Sequence, residues 1–282
     1  MLRRPKPVKK ATLVKKNVTG RQLARVSAIH YRETVWSELY PGNRHTIECF
    51  QPAVLAAETA LALSESQRKR TVWRMDGGSG SDEQFKWLLA RGYQVLGKGF
   101  SNRRAEALAK QVKRWDPYET DAWLAEIASP VDFGRPVRLF IKRRLKDGEF
   151  CYSYYVSTLS LPAKGLFLQG YAARGGAEVE QFRNDKSGLA LEARRKRSFT
   201  GQSAYILLTD LAHNLLADFH HKALLNSRFD GFGPKRIVRD LLSMPGKIVQ
   251  LDDKLIQVEL STTLNQFSQD FAYCLQRLCS DP

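Results

Sequence analysis

A short apolar segment that runs directly into an aspartate and a glycine-rich turn constrains the fold of this chain more than any other feature. Residues 71–75 (Thr-Val-Trp-Arg-Met) predict a buried strand, and Asp76 follows at the start of the sequence Asp-Gly-Gly-Ser-Gly. Ser81 is typical of a helix N-cap, and its helix is predicted to run to about Ala90 before Gly92 ends it. A strand, a turn and a helix in this order are a unit of α/β proteins, in which ligands and metals bind at the carboxyl ends of strands.

Strands and helices continue on both sides of this unit. Residues 20–29 and 32–40 predict two adjacent antiparallel strands, and Pro52 begins a predicted helix that ends near Leu63. The segment 94–98 predicts another strand. Further along, helices are predicted within 103–128, 170–185 and 202–225, two or three strands within 135–160, and a short helix, a small hairpin and a terminal helix after residue 231. The expected fold is α/β, with a mixed sheet that is antiparallel in its first pair and parallel afterwards.

The formal net charge indicates which class of molecule this chain binds. The chain has 45 lysines and arginines against 29 aspartates and glutamates, which gives a formal net charge of +16. Such an excess favours a polyanion, either nucleic acid or an anionic membrane surface. No stretch approaches the roughly 20 apolar residues that span a bilayer, and the sequence shows no amphipathic or lipid-anchor signal. Nucleic acid is therefore the expected partner.

The first 25 residues contain nine basic residues and no acidic residue. This composition predicts an extended or disordered basic arm that contacts phosphates, and the alternative is a solubilising tail. The segment has no apolar core behind its charges, so it does not predict a secretory signal. The four cysteines lack zinc-type spacing, and Cys274 and Cys279 suit buried thiols on a predicted helix, so the reducing cytoplasm is the expected compartment.

Asp76 is the first candidate for chemistry. Its carboxylate is expected at the carboxyl end of a sheet strand, and the glycines that follow allow the chain, or a phosphodiester, to approach closely. The alternative is an aspartate that caps the turn leading into the next helix. Position alone leaves both interpretations open.

A second set of candidates lies on the helix predicted over 170–185. Arg174 and Glu178 are four residues apart on one helical face, Tyr171 lies one turn earlier, and Asp185 lies two turns after Glu178. Such a face suits a helix that lines a metal and phosphate site. The alternative is an ordinary i, i+4 ion pair at the surface. His213, inside the long apolar helix, is interpreted as a core histidine with satisfied hydrogen bonds.

Together these segments resemble the DDE transposases of bacterial insertion sequences. The resemblance is to the group with the signature Tyr, two residues, Arg, three residues, Glu, six residues, Lys, and Tyr171, Arg174 and Glu178 match it at that spacing. The whole segment 171–191 is similar to the family's glutamate helix. Further matches lie at 20–26, 41–46, 74–78, 87–98 and 208–216, in a fixed order from about residue 11 to residue 250.

The resemblance implies a ribonuclease H-like fold and a DNA transposase. In that family three carboxylates, two Asp and one Glu, hold two Mg²⁺ ions that act in cleavage and strand transfer at transposon ends. Asp76 matches the second aspartate and Glu178 matches the glutamate, so these two residues are the expected catalytic metal ligands. The residues expected to bind DNA phosphates are Tyr171, Arg174, Lys186, Arg194, Arg195, Lys196 and Arg197. The implied partners are transposon ends, target DNA and other copies of the transposase, in the bacterial nucleoid.

The sequence departs from the family pattern at two points. Position 185, where the signature lysine belongs, is an aspartate, and Lys186 is one residue late, which rotates it by about 100° on an ideal helix. The chain also has no aspartate before Asp76, so we expect that the family's first catalytic aspartate and first strand are missing from it. These departures predict a truncated, inactive transposase. The alternatives are an active enzyme completed by an upstream reading frame, and a basic nucleic-acid-binding protein without catalysis.

The resemblance also suggests a division of the chain. The expected parts are a basic arm (1–19), the first part of the ribonuclease H-like core (20–101), a partly β insertion (102–169), the helical remainder of the core (170–230), and a C-terminal small hairpin and helix (231–282).

Overall fold

The computed structural model describes residues 21–171, 180–191, 196, 198–251, 254–261 and 267–280. Contacts divide the chain into two compact units. The sheet unit comprises residues 1–24 and 38–175, and the helical unit comprises residues 25–37 and 176–282. The first two predicted strands are confirmed as β1 (Arg21–Ala28) and β2 (Glu33–Pro41), which form a two-stranded sheet.

The sheet unit is built on six strands in the order β3-β4-β8-β7-β6-β5. Only β3 and β4 are parallel, and the other neighbours are antiparallel. The mixed α/β sheet is therefore confirmed, but the expectation of parallel strands after the first pair holds only for β3 and β4. A two-residue turn such as Asp147-Gly148, with φ of 52° and 83°, can join only antiparallel strands. The strands are β3 (Val72–Met75), β4 (Gln94–Lys98), β5 (Asp116–Glu119), β6 (Ala122–Ile127), β7 (Arg138–Lys146) and β8 (Glu149–Ser157).

The region 103–128 differs most from its prediction. Its helix, α4, covers only Asn102–Ala109, and the residues after it form β5 and β6. Trp123 on β6 pairs with Arg143 on β7 and packs its ring against Phe150 on β8. These cross-strand contacts, which local helical periodicity does not show, favour strands here.

The other helices of the sheet unit follow the sequence closely. Helix α1 spans Thr46–Ala60, starting earlier than predicted so that Pro52 lies inside it. Helix α2 (Glu65–Arg70) begins with a capping box formed by Ser64 and Gln67. Helix α3 (Asp82–Ala90) has Ser81 as its N-cap, and Gly92 after it has a φ of 91°, as the sequence predicts. Helix α5 (Ala163–Gly165) continues as a π-helical segment, Leu166–Tyr171.

Alternate residues of the strands are buried on the two faces of this sheet. One face packs against α1, α3 and α4, with Leu139, Ile141 and Tyr154 in the shared core. The other face packs against α5 and its π-helical continuation, with Phe140 and Tyr155 in the core. Because both faces of this sheet are buried, a ligand can reach it at the ends of its strands.

The helical unit follows the predicted order of elements. Its helices are α6 (Glu180–Gly188), α7 (Phe199–Phe219, continuing as π-helical His220–Leu224), α8 (Pro234–Arg236, continuing as π-helical Ile237–Leu242) and α9 (Ser268–Ser280). The predicted hairpin is confirmed as antiparallel β9 (Gly246–Leu251) and β10 (Lys254–Leu260). Phe229, Leu241, Phe271 and Cys274 are buried in its core, and Cys274 is thus a buried thiol as expected. Within the described ranges, no helix has both the length and the apolar character needed to cross a membrane.

Candidate functional site

Asp76 lies at the carboxyl end of β3, where the sequence places it. β3 is an edge strand of the six-stranded sheet, and the Asp76 side chain is exposed. Its Oδ1 accepts a hydrogen bond of 2.9 Å from the backbone N–H of Gly78. Asp76 therefore caps the turn, as one of the two interpretations predicts. Its carboxylate is also exposed at the end of the strand, where α/β sheets bind ligands.

The glycine-rich turn is held tightly against the end of β4. A Cβ atom on Gly80 would lie 1.8 Å from the backbone oxygen of Lys98, and one on Gly99 would lie 1.9 Å from the ring of Tyr154. The backbone N–H of Phe100 donates to the Gly80 oxygen at 2.9 Å. Because no side chain fits at these positions, the glycines set the path of the chain that carries Asp76 into α3.

We expect Gly80→Ala to destabilise the sheet unit by about 1–3 kcal/mol, because the added methyl group must displace backbone atoms. Gly77→Ala is the matched control in the same turn, since its Cβ would meet no atom closer than 3.5 Å. Urea unfolding followed by tryptophan fluorescence measures both, because four of the five tryptophans lie in this unit. Equal losses in the two variants would show that the close approach at Gly80 does not matter.

The strand that leads to Asp76 is also hydrogen-bonded to the π-helical segment that ends at Tyr171. Nη1 of Arg74, two residues before Asp76, donates to the backbone oxygen of Gly170 at 2.7 Å. Tyr171 is half-buried, and its ring packs edge-on against Tyr155 with centroids 4.9 Å apart. The structure therefore joins the chain segments that carry two of the predicted site residues.

Several predicted site residues lie outside the part of the chain that the structure describes. These are Arg174, Glu178, Arg194, Arg195 and Arg197. Lys196 of the same basic run is described; it is exposed, and its backbone N–H donates to Oε1 of Gln202.

The donor chemistry of Asp76 suits a divalent metal, since Mg²⁺ prefers carboxylate oxygens. One carboxylate is not enough to hold the ion. Among the described residues, no group of three or more His, Cys, Asp or Glu side chains is arranged as a metal site. The described part of the chain thus supplies one suitable ligand but does not complete a metal site.

Asp185 and Lys186, the two residues at the signature lysine position, point in different directions from helix α6. Lys186 is exposed, as a phosphate ligand must be, whereas Asp185 is completely buried. The expectation that Asp185 adds charge to a metal and phosphate face was therefore wrong. The two side chains differ in direction because neighbouring helical residues are rotated by about 100°.

Asp185 belongs to a buried ionic cluster in the helical unit, formed with Arg25, Asp210 and His213. Nη1 of Arg25 bonds Oδ2 of Asp185 at 2.5 Å, and Nη2 of Arg25 bonds Oδ1 of Asp210. The Arg25 guanidinium also lies 4.9 Å from the centroid of the Phe182 ring. Arg25 is 2% exposed and Asp185 is 0% exposed, so this interaction is shielded from solvent.

Both ring nitrogens of His213 face oxygen atoms in this cluster, an arrangement that favours the protonated imidazolium. Its Nδ1 lies 2.7 Å from Oδ1 of Asp185, and its Nε2 lies 2.7 Å from the backbone oxygen of Arg32. A carbonyl oxygen and an arginine-paired carboxylate can only accept, so both ring nitrogens must donate. The prediction of a core histidine with satisfied hydrogen bonds is confirmed. With His213 protonated, two cations and two anions cancel, and the cluster is neutral.

Two pKa values respond to this environment. Burial lowers the pKa of His213, but the hydrogen bond and charge of Asp185 outweigh it, and the net pKa is raised. Burial raises the pKa of Asp210 and exceeds the opposing effects of Arg25 and Ser37. Both His213 and Asp210 therefore keep their protons to a higher pH than they would in water.

The cluster fixes the end of the β1–β2 hairpin to α7. Next to it, Asn214 pairs with the backbone of Thr34, accepting from its N–H at 2.8 Å and donating to its oxygen at 2.9 Å. The sequence did not indicate that Arg25 and Asp210 share one buried cluster with His213. Two titratable residues three apart on one face of an apolar helix, Asp210 and His213, are the signal that could have indicated a buried charged partner.

A comparison with known protein families gives one match. The sequence profile of the family described as Transposase DDE domain group 1 matches residues 30–280 of this chain. No curated protein sequence matches the chain.

Proposed function

Because the chain belongs to the family Transposase DDE domain group 1, we propose that it cleaves and joins DNA strands at transposon ends. Membership of the family makes DNA its partner. The observation that carries the proposal is the place of Asp76, exposed at the carboxyl end of β3 with its turn fixed by close-packed glycines. That is where an α/β sheet presents a catalytic carboxylate.

The proposed metal ligands are Asp76, which matches the family's second aspartate, and Glu178, which matches its glutamate. Two Mg²⁺ ions, when bound, stabilise the attacking and leaving oxygens of an in-line phosphoryl displacement. The chain orients the first ligand itself, because the Gly78 N–H holds one oxygen of Asp76 and the neighbouring Arg74 is anchored to Gly170. A carboxylate held in this way needs little further ordering before it binds an ion.

The proposed phosphate contacts are made by basic residues and one tyrosine. Arg174 suits a bidentate contact with a phosphate, and Lys186 presents an exposed ammonium on α6. Tyr171 is positioned by its contact with Tyr155. The basic run Arg194, Arg195, Lys196 and Arg197 adds charge that favours the DNA backbone irrespective of sequence.

The second candidate function is binding of nucleic acid without catalysis. The formal charge of +16 favours binding to a polyanion without the help of any catalytic group. The two candidates share the DNA partner and differ in the metal. Metal binding therefore separates them.

We expect Mn²⁺, titrated calorimetrically as a substitute for Mg²⁺, to bind the wild-type chain and to bind Asp76→Ala at least about tenfold more weakly. Asp132→Ala is the matched control. Oδ1 of Asp132 accepts the Gly134 N–H at 2.8 Å in the same kind of turn, but Asp132 does not follow a sheet strand. Glu178→Ala should lose affinity in the same way, compared with Glu180→Ala two positions along.

Each result of these metal titrations favours one of the two candidate functions. If Asp76→Ala and Glu178→Ala bind Mn²⁺ as the wild type does, the metal-dependent mechanism is wrong. If those variants also retain affinity for a DNA duplex, the second candidate function stands. Loss of metal affinity in both, with the two controls unaffected, supports the transposase mechanism.

A further inference from the structure

Lys98 is the last residue of β4, and it lies beside the point where β3 leads into Asp76. The two strands are parallel, and their register pairs Met75 with Gly97. The next residues along the two strands are Asp76 and Lys98. Because parallel strands end at the same edge of a sheet, a carboxylate and an ammonium begin side by side at the carboxyl end of this pair.

The neighbour of Lys98 on its other side is Tyr155 of β8, with which it pairs. Leu96, two residues before Lys98 and therefore on the same face of β4, packs with Tyr155 in one core cluster. The Tyr155 ring also packs against Tyr171, a proposed phosphate contact, with centroids 4.9 Å apart. Lys98 thus lies between the strand that leads to Asp76 and the strand that positions Tyr171.

The stem of Lys98 is placed by the glycine-rich turn. A Cβ atom on Gly77 would lie 3.8 Å from Cδ of Lys98 and 4.0 Å from its Cγ, so the stem runs along the turn that follows Asp76. Lys98 is half-buried, and within the described ranges no carboxylate forms an ion pair with its ammonium. By contrast, Lys142 of β7 is also half-buried and pairs with Glu119 at 3.1 Å. A partly buried cation of this kind suits an anion that comes from outside the chain.

We propose that Lys98 is a phosphate-binding residue, whose ammonium contacts a phosphate of the DNA strand that reaches Asp76. This inference rests on the proposed function, which brings a phosphodiester to that carboxylate. The phosphodiester carries a negative charge towards an acidic side chain, and Lys98 supplies the opposite charge from the neighbouring strand. At a phosphoryl group that is being transferred, such a cation stabilises the charge on the oxygens.

The first test is the affinity for a fluorescently labelled DNA duplex, measured with Ca²⁺, which takes the same kind of oxygen ligands as Mg²⁺. Lys98→Met keeps an apolar stem and should bind about tenfold more weakly, with a salt slope reduced by about one phosphate contact. Lys98→Arg should bind as the wild type does, because it keeps the charge. Lys69→Met is the matched control, since Lys69 precedes β3 at the opposite end of the same two strands and its ion pair with Glu65 is exposed.

A second measurement separates a phosphate contact from a merely structural role. In the absence of DNA, the Lys98 ammonium repels a cation at Asp76. Lys98→Met should therefore bind Mn²⁺ about twofold to fivefold more tightly than the wild type. A structural role predicts the opposite, since a displaced turn would weaken the binding of Mn²⁺ and of DNA together.

Weaker DNA binding by Lys98→Met, with Mn²⁺ affinity kept or increased, supports the proposal. Equal DNA affinities of Lys98→Met and Lys69→Met would overturn it. So would a loss of both ligands in Lys98→Met, or a Lys98→Arg variant that binds DNA no better than Lys98→Met. If the wild type does not bind Mn²⁺ at all, the metal-dependent mechanism fails, and the DNA titrations of the three variants still decide whether Lys98 contacts phosphate.

Discussion

Arg25→Ala is expected to destabilise the helical unit by about 3–5 kcal/mol, because it removes the cation that neutralises two buried aspartates. Arg25 bonds both Asp185 and Asp210 and is 2% exposed, so no solvent replaces it. The energy comes chiefly from the uncompensated charge left behind. The loss should therefore be smaller when Arg25→Ala is made in an Asp210→Asn background.

Hydrogen exchange followed by mass spectrometry suits this measurement, since it reports peptides of 25–37 and 199–219 separately from the sheet unit. Arg228→Ala is the control, because Arg228 also bonds an aspartate, Asp270, at 2.5 Å in the same unit. That pair is about half exposed, and its loss should cost only about 0–1 kcal/mol. If Arg25→Ala costs no more than Arg228→Ala, the cluster does not stabilise the fold.

The second large effect is a fall in the free energy of unfolding as the pH rises. We expect this fall to depend on His213. The folded pKa of His213 is raised above its ordinary value of 6.5. Its contribution is therefore complete below about pH 6.5 and is lost as the pH rises through the folded pKa. The raised pKa of Asp210 has the same sign, so it cannot produce a gain in stability as the pH rises. We therefore expect unfolding of the helical unit to become easier as the pH rises above about 6.5.

Unfolding free energies measured across this range on the wild type and His213→Gln provide the check. The variant should be less stable than the wild type at pH 6, and the difference should shrink towards pH 9, because only the wild type has a proton to lose. His220→Gln is the control: His220 is a second buried histidine, 2.7 Å from the backbone oxygen of Asp230 and outside the cluster. A pH dependence that survives unchanged in His213→Gln would assign it to another group.

The sequence predicted those parts of the fold that local chemistry determines. The capped helix after Asp76, the turn at Asp147-Gly148 and the C-terminal hairpin are each specified by the residues within them. β5 and β6 were missed because their strand form depends on partners such as Arg143 and Phe150, which lie further along the chain.

The residues of the candidate site also differ in whether nearby sequence or distant partners determine their roles. The end of a strand is a local property, and Asp76 is where the sequence placed it. The role of Asp185 depends on Arg25, 160 residues away, and no spacing rule relates them. His213 was recognised as a core residue from its apolar neighbours, but its charge could be inferred only once Asp185 and the Arg32 carbonyl were in place.

The neutrality of the buried cluster has a consequence for how the protein responds to ionic strength. Dissolved ions screen exposed charges within about 10 Å at 0.1 M salt, but they hardly reach a group of charges that is buried and sums to zero. DNA contacts made through exposed lysines and arginines weaken steeply as salt displaces them. Raising the salt concentration should therefore release DNA from this protein well before it loosens the fold. The two responses are separated by where the charges lie.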